Sequence, residues 1–147
     1  MAENSNKERI ARASAEYGPL LDAFIKEVSP FATRESLLLQ MEIMPIIFNN
    51  ERIGIVGIKV EPTKVGKVGI VKLMYLEPRY RKEKLAVMLE QICRRFKQEG
   101  ITHIEGWSLP GVANWFEREL KVSAKLRVYH EEVSTILDRL AELSYKS

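Results

Sequence analysis

Two kinds of hydrophobic spacing occur along the chain and predict where helices and strands lie. Apolar residues recur at helical spacing over 17–28, and Pro30 ends that helix. The preceding segment 10–13 fits either a short strand or the lead-in of this helix. A second, short helix is predicted over 34–42, with Thr33 as its N-cap.

The spacing then changes to runs rich in β-branched residues, separated by turns. The runs 45–48, 53–60 and 68–76 predict an antiparallel meander of three strands. An amphipathic helix over 84–99 and a strand over 101–107 follow directly. A strand, a helix and a strand in succession imply a right-handed crossover and a parallel pair.

The rest of the chain continues the alternation. A short helix over 112–120, a strand over 122–130 and a final amphipathic helix over 131–145 are predicted. The complete order predicts an α/β protein whose mixed sheet carries helices on both faces. We expect a polar N-terminal tail over 1–9 and a single domain over 10–147.

Composition narrows the class of protein. The 147 residues are 46% hydrophobic and 29% charged, which is ordinary for a globular chain. The 23 basic and 20 acidic residues are interleaved, so the net charge of +3 does not indicate a nucleic-acid partner. No apolar run approaches a membrane span, and the first residues lack the apolar core of a signal peptide. We therefore expect a cytoplasmic protein without a membrane partner.

Cysteine and histidine spacing argues against a metal site. Cys93 is the only cysteine, and it is expected to be buried in the apolar stripe of the helix over 84–99. His130 precedes two glutamates without the His-Glu-x-x-His spacing that binds zinc. No metal is expected.

The junction between the strand over 68–76 and the next helix is the most informative segment. Four cations crowd it: Arg79, Arg81, Lys82 and Lys84. A helix N-terminus presents unpaired N–H groups and a positive dipole end, so added cations favour an anion such as phosphate. The alternative is a solvated turn.

This junction, in its place in the order of elements, resembles the GNAT family of N-acetyltransferases. In that family a Val-x-Pro-like segment is followed by an Arg-x-x-Gly-x-Gly/Ala turn, whose N–H groups bind the pyrophosphate of acetyl-CoA. Here 76–78 reads Leu-Glu-Pro and 81–86 reads Arg-Lys-Glu-Lys-Leu-Ala. Gly57 also matches a frequent glycine. The resemblance implies that the strand over 71–76 and the strand over 101–107 splay apart to admit the pantetheine arm. It implies cofactor-binding roles for Leu76, Arg81, Lys82, Glu83, Lys84, Leu85 and Ala86.

The chain departs from the family pattern at two places. Lys84 stands where the family has its first glycine, so its side chain either crowds the pyrophosphate or points outward. The later family motif, laid on 110–122, keeps its apolar positions but loses its Asn, Gly and Tyr. Glu117 takes the position of the Tyr that often protonates the leaving thiolate, and a buried carboxyl can serve as such an acid.

A base must also deprotonate the acceptor amine before it can attack. Glu77 at the end of the central strand and Glu105 on the next strand are the candidates, together with His103, which shares a strand face with Glu105. The alternative for each is a solvated or structurally paired side chain. Trp107 and Trp115 either line an acceptor pocket or pack in the core.

The resemblance implies an N-acyltransferase that moves an acetyl group from acetyl-CoA to the amine of a small molecule or a protein. The alternative is a catalytically inactive GNAT-fold structural or interaction protein with protein partners in an assembly. The ending over 128–132 is similar to an internal phage virion protein, so a virion location is part of this alternative. The extra C-terminal helix over 131–145 then either completes the core or docks a partner.

Overall fold

The computed structural model describes residues 2–64, 66–106, 118 and 133–143. The chain divides into two compact units, Met1–Gly106 and Trp107–Ser147. In the first unit the helices are α1 (Ala2–Val28), α2 (Arg34–Gln40) and α3 (Leu85–Gln98). Its strands are β1 (Glu42–Phe48), β2 (Glu51–Thr63), β3 (Gly66–Leu76) and β4 (Ile101–Gly106).

In the second unit the described element is α4 (Val133–Glu142), which lies within the predicted C-terminal helix. Apart from residue 118, the predictions over 112–120 and 122–130, and those for Trp107, Trp115 and Glu117, lie outside the described residues. A single domain over 10–147 stays a prediction. Within the described residues, no helix has both the length and the apolar character that crossing a bilayer requires.

The four strands form one mixed sheet in the order β1-β2-β3-β4. The first three strands pair antiparallel, whereas β3 and β4 pair parallel with α3 as the crossover between them. The β1–β2 turn places Asn49 at φ 51° and Asn50 at φ 62°. Two left-handed residues in succession match the right-handed twist of a hairpin, and asparagine tolerates this conformation.

The predicted α/β fold class, meander and parallel pair are confirmed.

The core lies on both faces of the sheet, because side chains alternate along each strand. On one face α3 packs Met88, Ile92 and Phe96 against the strands. On the other face α1 and α2 contribute Leu21 and Leu38, both fully buried. The sheet is thus covered on both sides.

Two expectations from the sequence differ from the structure. Cys93 was expected in the buried stripe, and this is wrong: its side chain is exposed, because it lies one residue, or about 100° around the helix, beyond Ile92.

The polar segment 1–9 was expected as a tail, but from Ala2 onward it is the first part of α1. Arg9 donates to the carbonyl oxygens of Leu38 (2.7 Å) and Met41 (3.2 Å) at the end of α2. Those helix-end carbonyls otherwise lack intrahelical partners, so a polar segment gains a fixed position here.

Gly69 lets α3 approach β3 closely. A Cβ atom at this position would lie 2.5 Å from Cε2 of Phe96. We expect Gly69→Ala to lower the free energy of unfolding by about 2 kcal/mol, because the extra carbon overpacks the interface. Denaturant unfolding measures this loss.

Gly106→Ala is the matched control, since its new carbon would lie 3.6 Å from the nearest atom, in Val71. It should change stability by no more than about 0.5 kcal/mol. Combining Gly69→Ala with Phe96→Leu should cost less than the sum of the two single changes. Strict additivity of the two costs would contradict the proposed contact.

Candidate functional site

Within the described residues, the parallel pairing of β3 with β4 covers only the first part of β3. The last recorded pair is Val71 with Gly106, and β3 continues through Leu76. Within the described residues, the five positions of β3 over 72–76 therefore have no partner from β4. This unpaired part of the strand is called the open edge below.

A β-bulge marks the start of the open edge. Gly57 of β2 faces Leu73, but the next residue, Ile58, faces Val71. Lys72 is thus the extra residue on β3. A bulge bends its strand and increases the local twist, so the course of β3 changes at this level. The bulge lies within 71–76, the part of β3 for which the resemblance implies a splay from the strand over 101–107, and that splay stays a prediction.

The backbone of the open edge alternates in direction. The Glu77 N–H donates to the Ile53 carbonyl of β2 at 2.9 Å. Because successive residues of a strand point their polar groups to opposite sides, the N–H and C=O groups of Met74 and Leu76 point away from β2. The open edge presents these backbone groups.

A short turn joins the open edge to α3. A 3₁₀-helix, Pro78–Tyr80, follows β3, and Pro78 suits its first position because it has no N–H to leave unpaired. The N–H of Lys84 then donates to the Tyr80 carbonyl at 2.9 Å, and Met88 begins the regular helical bonding. In the described part of the chain, five N–H groups at this end of α3 have no hydrogen-bond acceptor. They belong to Lys82, Glu83, Leu85, Ala86 and Val87. These five N–H groups are called the amide seat below.

Arg79 is committed to two carboxylates. Its Nε lies 3.3 Å from Glu77, and one Nη lies 3.8 Å from Glu51 in the β1–β2 turn. The Tyr80 hydroxyl also lies 3.5 Å from a Glu51 oxygen. Arg79 therefore contributes little free positive charge to the amide seat.

Arg81 is also neutralised, and it is held more tightly. Its Nη2 donates to a Glu27 carboxylate oxygen at 2.6 Å, its Nη1 donates to the other oxygen, and its Nε donates to the Leu76 carbonyl at 2.9 Å. The ring of Tyr75 lies 5.2 Å from its guanidinium carbon. Hydrogen bonding between the two side chains raises the pKa of Arg81 and lowers the pKa of Glu27, so the pair is fully ionised at neutral pH.

Lys82 and Lys84 are the cations of the junction without a carboxylate partner in the described residues. Lys82 is exposed. The Lys84 Nζ lies 3.9 Å from the centre of the Phe48 ring, a cation–π contact. Lys84 has φ −112°, which any L-residue adopts, so no glycine is required there by backbone conformation. Its side chain is directed to the end of β1, and its effect on a pyrophosphate stays a prediction.

The candidate bases lie far apart. Glu105 faces Ile70, seven residues before Glu77 along the chain. At about 3.3 Å per residue the two positions are separated by about 20 Å along the strand direction. They cannot serve one amine together. Glu77 is also paired with Arg79, as described above.

The sheet face of the β4 candidates follows from the pairing. Gly69 lies on the α3 face, since an added Cβ would meet Phe96, and its partner Ile104 shares that face. His103 and Glu105 therefore lie on the opposite face. The His103 Nδ1 is 2.8 Å from the Thr102 hydroxyl. Both candidates are exposed.

Two contributors to the site have no strong signal in the sequence. Glu27 is 54 residues from Arg81, and nothing local marks it as the partner. Met74 belongs to the site because the alternation along β3 points its N–H and C=O groups away from β2. No group of three or more metal-ligating side chains occurs in the part of the chain that the structure describes.

Comparisons with known proteins give a match in structure and not in sequence. No protein-family model matches the chain. No curated protein matches it either. Solved structures, in contrast, match over most of the chain.

The matched structures include several acetyltransferases. A ribosomal-protein-alanine N-acetyltransferase from Brucella melitensis biovar Abortus 2308 is 17% identical, with 82% of this chain and 94% of that chain covered and a TM-score of 0.59. An aminoglycoside acetyltransferase from an uncultured soil metagenomic sample, in complex with sisomicin, is 15% identical. The match covers 80% of this chain and 87% of that chain, with a TM-score of 0.57. An aminoglycoside N-acetyltransferase in complex with CoA is 13% identical over 80% and 93%, with a TM-score of 0.53. The resemblance seen in the junction is confirmed at the level of structure: this chain has the fold of the GNAT N-acetyltransferases.

Proposed function

We propose that this protein binds an acyl-CoA, with acetyl-CoA as the simplest case, and transfers the acyl group to an amine. The observation that carries the proposal is the direct continuity of the open edge with the amide seat. An extended chain that ends in a pyrophosphate needs an unpaired strand edge followed by an anion site. Both lie here within one segment, 72–87.

The amide seat suits a pyrophosphate. Its N–H groups lie at and just before the N-terminus of a 14-residue helix, whose dipole favours an anion. Ala86 is exposed and small, so it leaves room for phosphate oxygens. Lys82, which has no carboxylate partner in the described residues, supplies a cation, whereas the carboxylate of Glu83 opposes an anion and must turn outward. Leu85 and Lys84 complete the segment that the family pattern implies.

The open edge suits the arm of the cofactor. Pantetheine contains two amides, and a strand edge binds amides as it binds an added strand. The N–H groups of Met74 and Leu76 point to this side. Since the Leu76 carbonyl already accepts from Arg81, the Leu76 N–H is the group that remains for the ligand there.

The reaction is a direct transfer. The nitrogen of a neutral amine attacks the thioester carbonyl carbon, a C–N bond forms, and the C–S bond breaks. The proton lost by the amine balances the thiolate that leaves, either directly or through a base and an acid. With the pyrophosphate at the α3 end, the arm extends towards the bulge at Lys72. Glu105, which faces Ile70, is nearer to that level than Glu77, so we assign the base to Glu105 or water. Glu117 as the acid remains a proposal from the sequence.

A second candidate is a GNAT-fold protein without catalysis, acting through protein partners. The observation that favours it is the pairing of Glu77 with Arg79, which occupies the carboxylate at the end of the central strand. In this case the amide seat either binds acyl-CoA without turnover or binds none. The two candidates separate experimentally.

Thermal unfolding with increasing acetyl-CoA tests the proposal. At one hundred times its dissociation constant, acetyl-CoA should stabilise the fold by about 2.7 kcal/mol. Transfer to a panel of small-molecule and peptide amines is then followed by chromatography, because the exposed Cys93 would react with a thiol reagent. The absence of stabilisation at millimolar acetyl-CoA would rule out the proposed acyl-CoA-dependent enzyme. Stabilisation without transfer to any amine would favour the second candidate.

A further inference from the structure

Arg81 connects three elements at one point. Its guanidinium bonds the last residue of β3 through the Leu76 carbonyl and the last turn of α1 through both oxygens of Glu27. Its own backbone belongs to the turn that leads into the amide seat, where its N–H donates weakly to the Pro78 carbonyl at 3.4 Å. The Arg81 side chain thus links this turn to the end of β3 and to the last turn of α1.

We propose that Arg81 is a positioning residue that holds the amide seat in place through Glu27, and that its charge does not bind the phosphates. This inference rests on the proposed function, because it assigns a role within the same acyl-CoA site. A bidentate arginine–carboxylate pair gives directional as well as electrostatic fixation. Lysine cannot reproduce that fork.

The charge balance supports a positioning role. Glu27 neutralises Arg81, the Leu76 carbonyl accepts from its Nε, and the Tyr75 ring lies against its guanidinium. Arg81 would have to break its pair with Glu27 before it could bind a phosphate. Lys82, which has no carboxylate partner in the described residues, carries the free charge instead.

The rival role makes the opposite prediction for one substitution. If Arg81 were a phosphate ligand held back by Glu27, then Glu27→Gln would release it and tighten acetyl-CoA binding. If Arg81 positions the turn, Glu27→Gln loosens the turn and weakens binding. The direction of the change therefore decides between the two roles.

The chain provides a matched control for this experiment. Asp22, also on α1, forms a bidentate pair with Arg34, with an Nε distance of 2.8 Å. Asp22→Asn removes the same charge from the same helix and breaks the same kind of pair, but away from the amide seat. A merely structural effect, or a general effect of net charge, should appear equally in both variants.

We expect Glu27→Gln to weaken acetyl-CoA binding about tenfold in calorimetric titration, and Asp22→Asn to leave it within twofold. Arg81→Lys, which keeps the charge, should weaken binding as much as Arg81→Gln. Tighter binding by Glu27→Gln, or full binding by Arg81→Lys, would overturn the positioning role. Equal losses in Glu27→Gln and Asp22→Asn would also overturn it.

Amide hydrogen exchange in the free protein gives a readout that needs no acyl-CoA. Glu27→Gln should accelerate several-fold the exchange of the hydrogen-bonded amides that frame the seat, those of Lys84 and Met88, and Asp22→Asn should not. Unchanged exchange in Glu27→Gln would contradict the positioning of the seat. Failure of the unchanged protein to bind acetyl-CoA would instead refute the proposed function, so the two failures are distinguishable.

Discussion

Ile92→Ala should lower the free energy of unfolding by about 4 kcal/mol, whereas Cys93→Ser should change it by no more than about 0.5 kcal/mol. Ile92 is fully buried in the middle of α3, where it packs against the sheet. Truncation removes three carbons and leaves a cavity that a rigid sheet cannot fill. Cys93, the next residue, is exposed. Two neighbouring positions thus differ in effect because the helix turns by about 100° between them.

Denaturant unfolding of both variants measures the two costs. The reactivity of the Cys93 thiol in the native protein is an independent check, because an exposed thiol should react at a rate close to that of the unfolded chain. A large cost for Cys93→Ser, together with a thiol that reacts only after unfolding, would show that α3 presents a different face to the sheet. The stability of Ile92→Ala alone would not reveal this.

The elements of the first unit could be predicted well from their spacing. The helical stripe at Met88, Ile92 and Phe96 predicts α3, and the structure buries these three residues. Thr33 was predicted as the N-cap of α2, and its side chain accepts from Ser36. Such signals are local: they depend on residues within one or two turns, so the sequence displays them directly.

The bulge at Lys72 could not be predicted from the sequence. It depends on how β2 is registered against β3, and this register is set by side chains of both strands. No single segment of the sequence specifies an extra residue at this place. The register also decides that His103 and Glu105 lie opposite to α3.

The charges of the junction show the same limit. In the sequence Arg79, Arg81, Lys82 and Lys84 are four similar cations next to a helix start. In the structure the distant Glu27 pairs with Arg81, the distant Glu51 and the local Glu77 pair with Arg79, and Lys84 contacts an aromatic ring. Among the described residues, Lys82 alone of these four cations has neither a carboxylate partner nor an aromatic contact. Tertiary partners, and not local composition, decide how much charge a ligand meets.

Ala86→Glu should weaken acetyl-CoA binding about one-hundredfold, which corresponds to about 2.7 kcal/mol. Ala86 is the second residue of α3, is exposed, and carries one of the N–H groups of the amide seat. A glutamate there would put a carboxylate where the pyrophosphate is proposed to lie. The fold should tolerate the change, because an acidic side chain in the first turn of a helix is favourable to the dipole. Loss of binding would then not be a loss of folding.

Gln98→Glu is the control, since it makes the same change of charge at the exposed last residue of the same helix. It should bind acetyl-CoA as the unchanged protein does. Ala86→Lys separates bulk from charge: if repulsion is the cause, this variant should retain more affinity than Ala86→Glu at low salt, and the difference should shrink as salt screens the site. Calorimetric titration at two salt concentrations measures both effects. Unimpaired binding by Ala86→Glu would mean that the pyrophosphate does not lie on the amide seat, and the assignment of the site to this turn would fail even if the protein binds acetyl-CoA elsewhere.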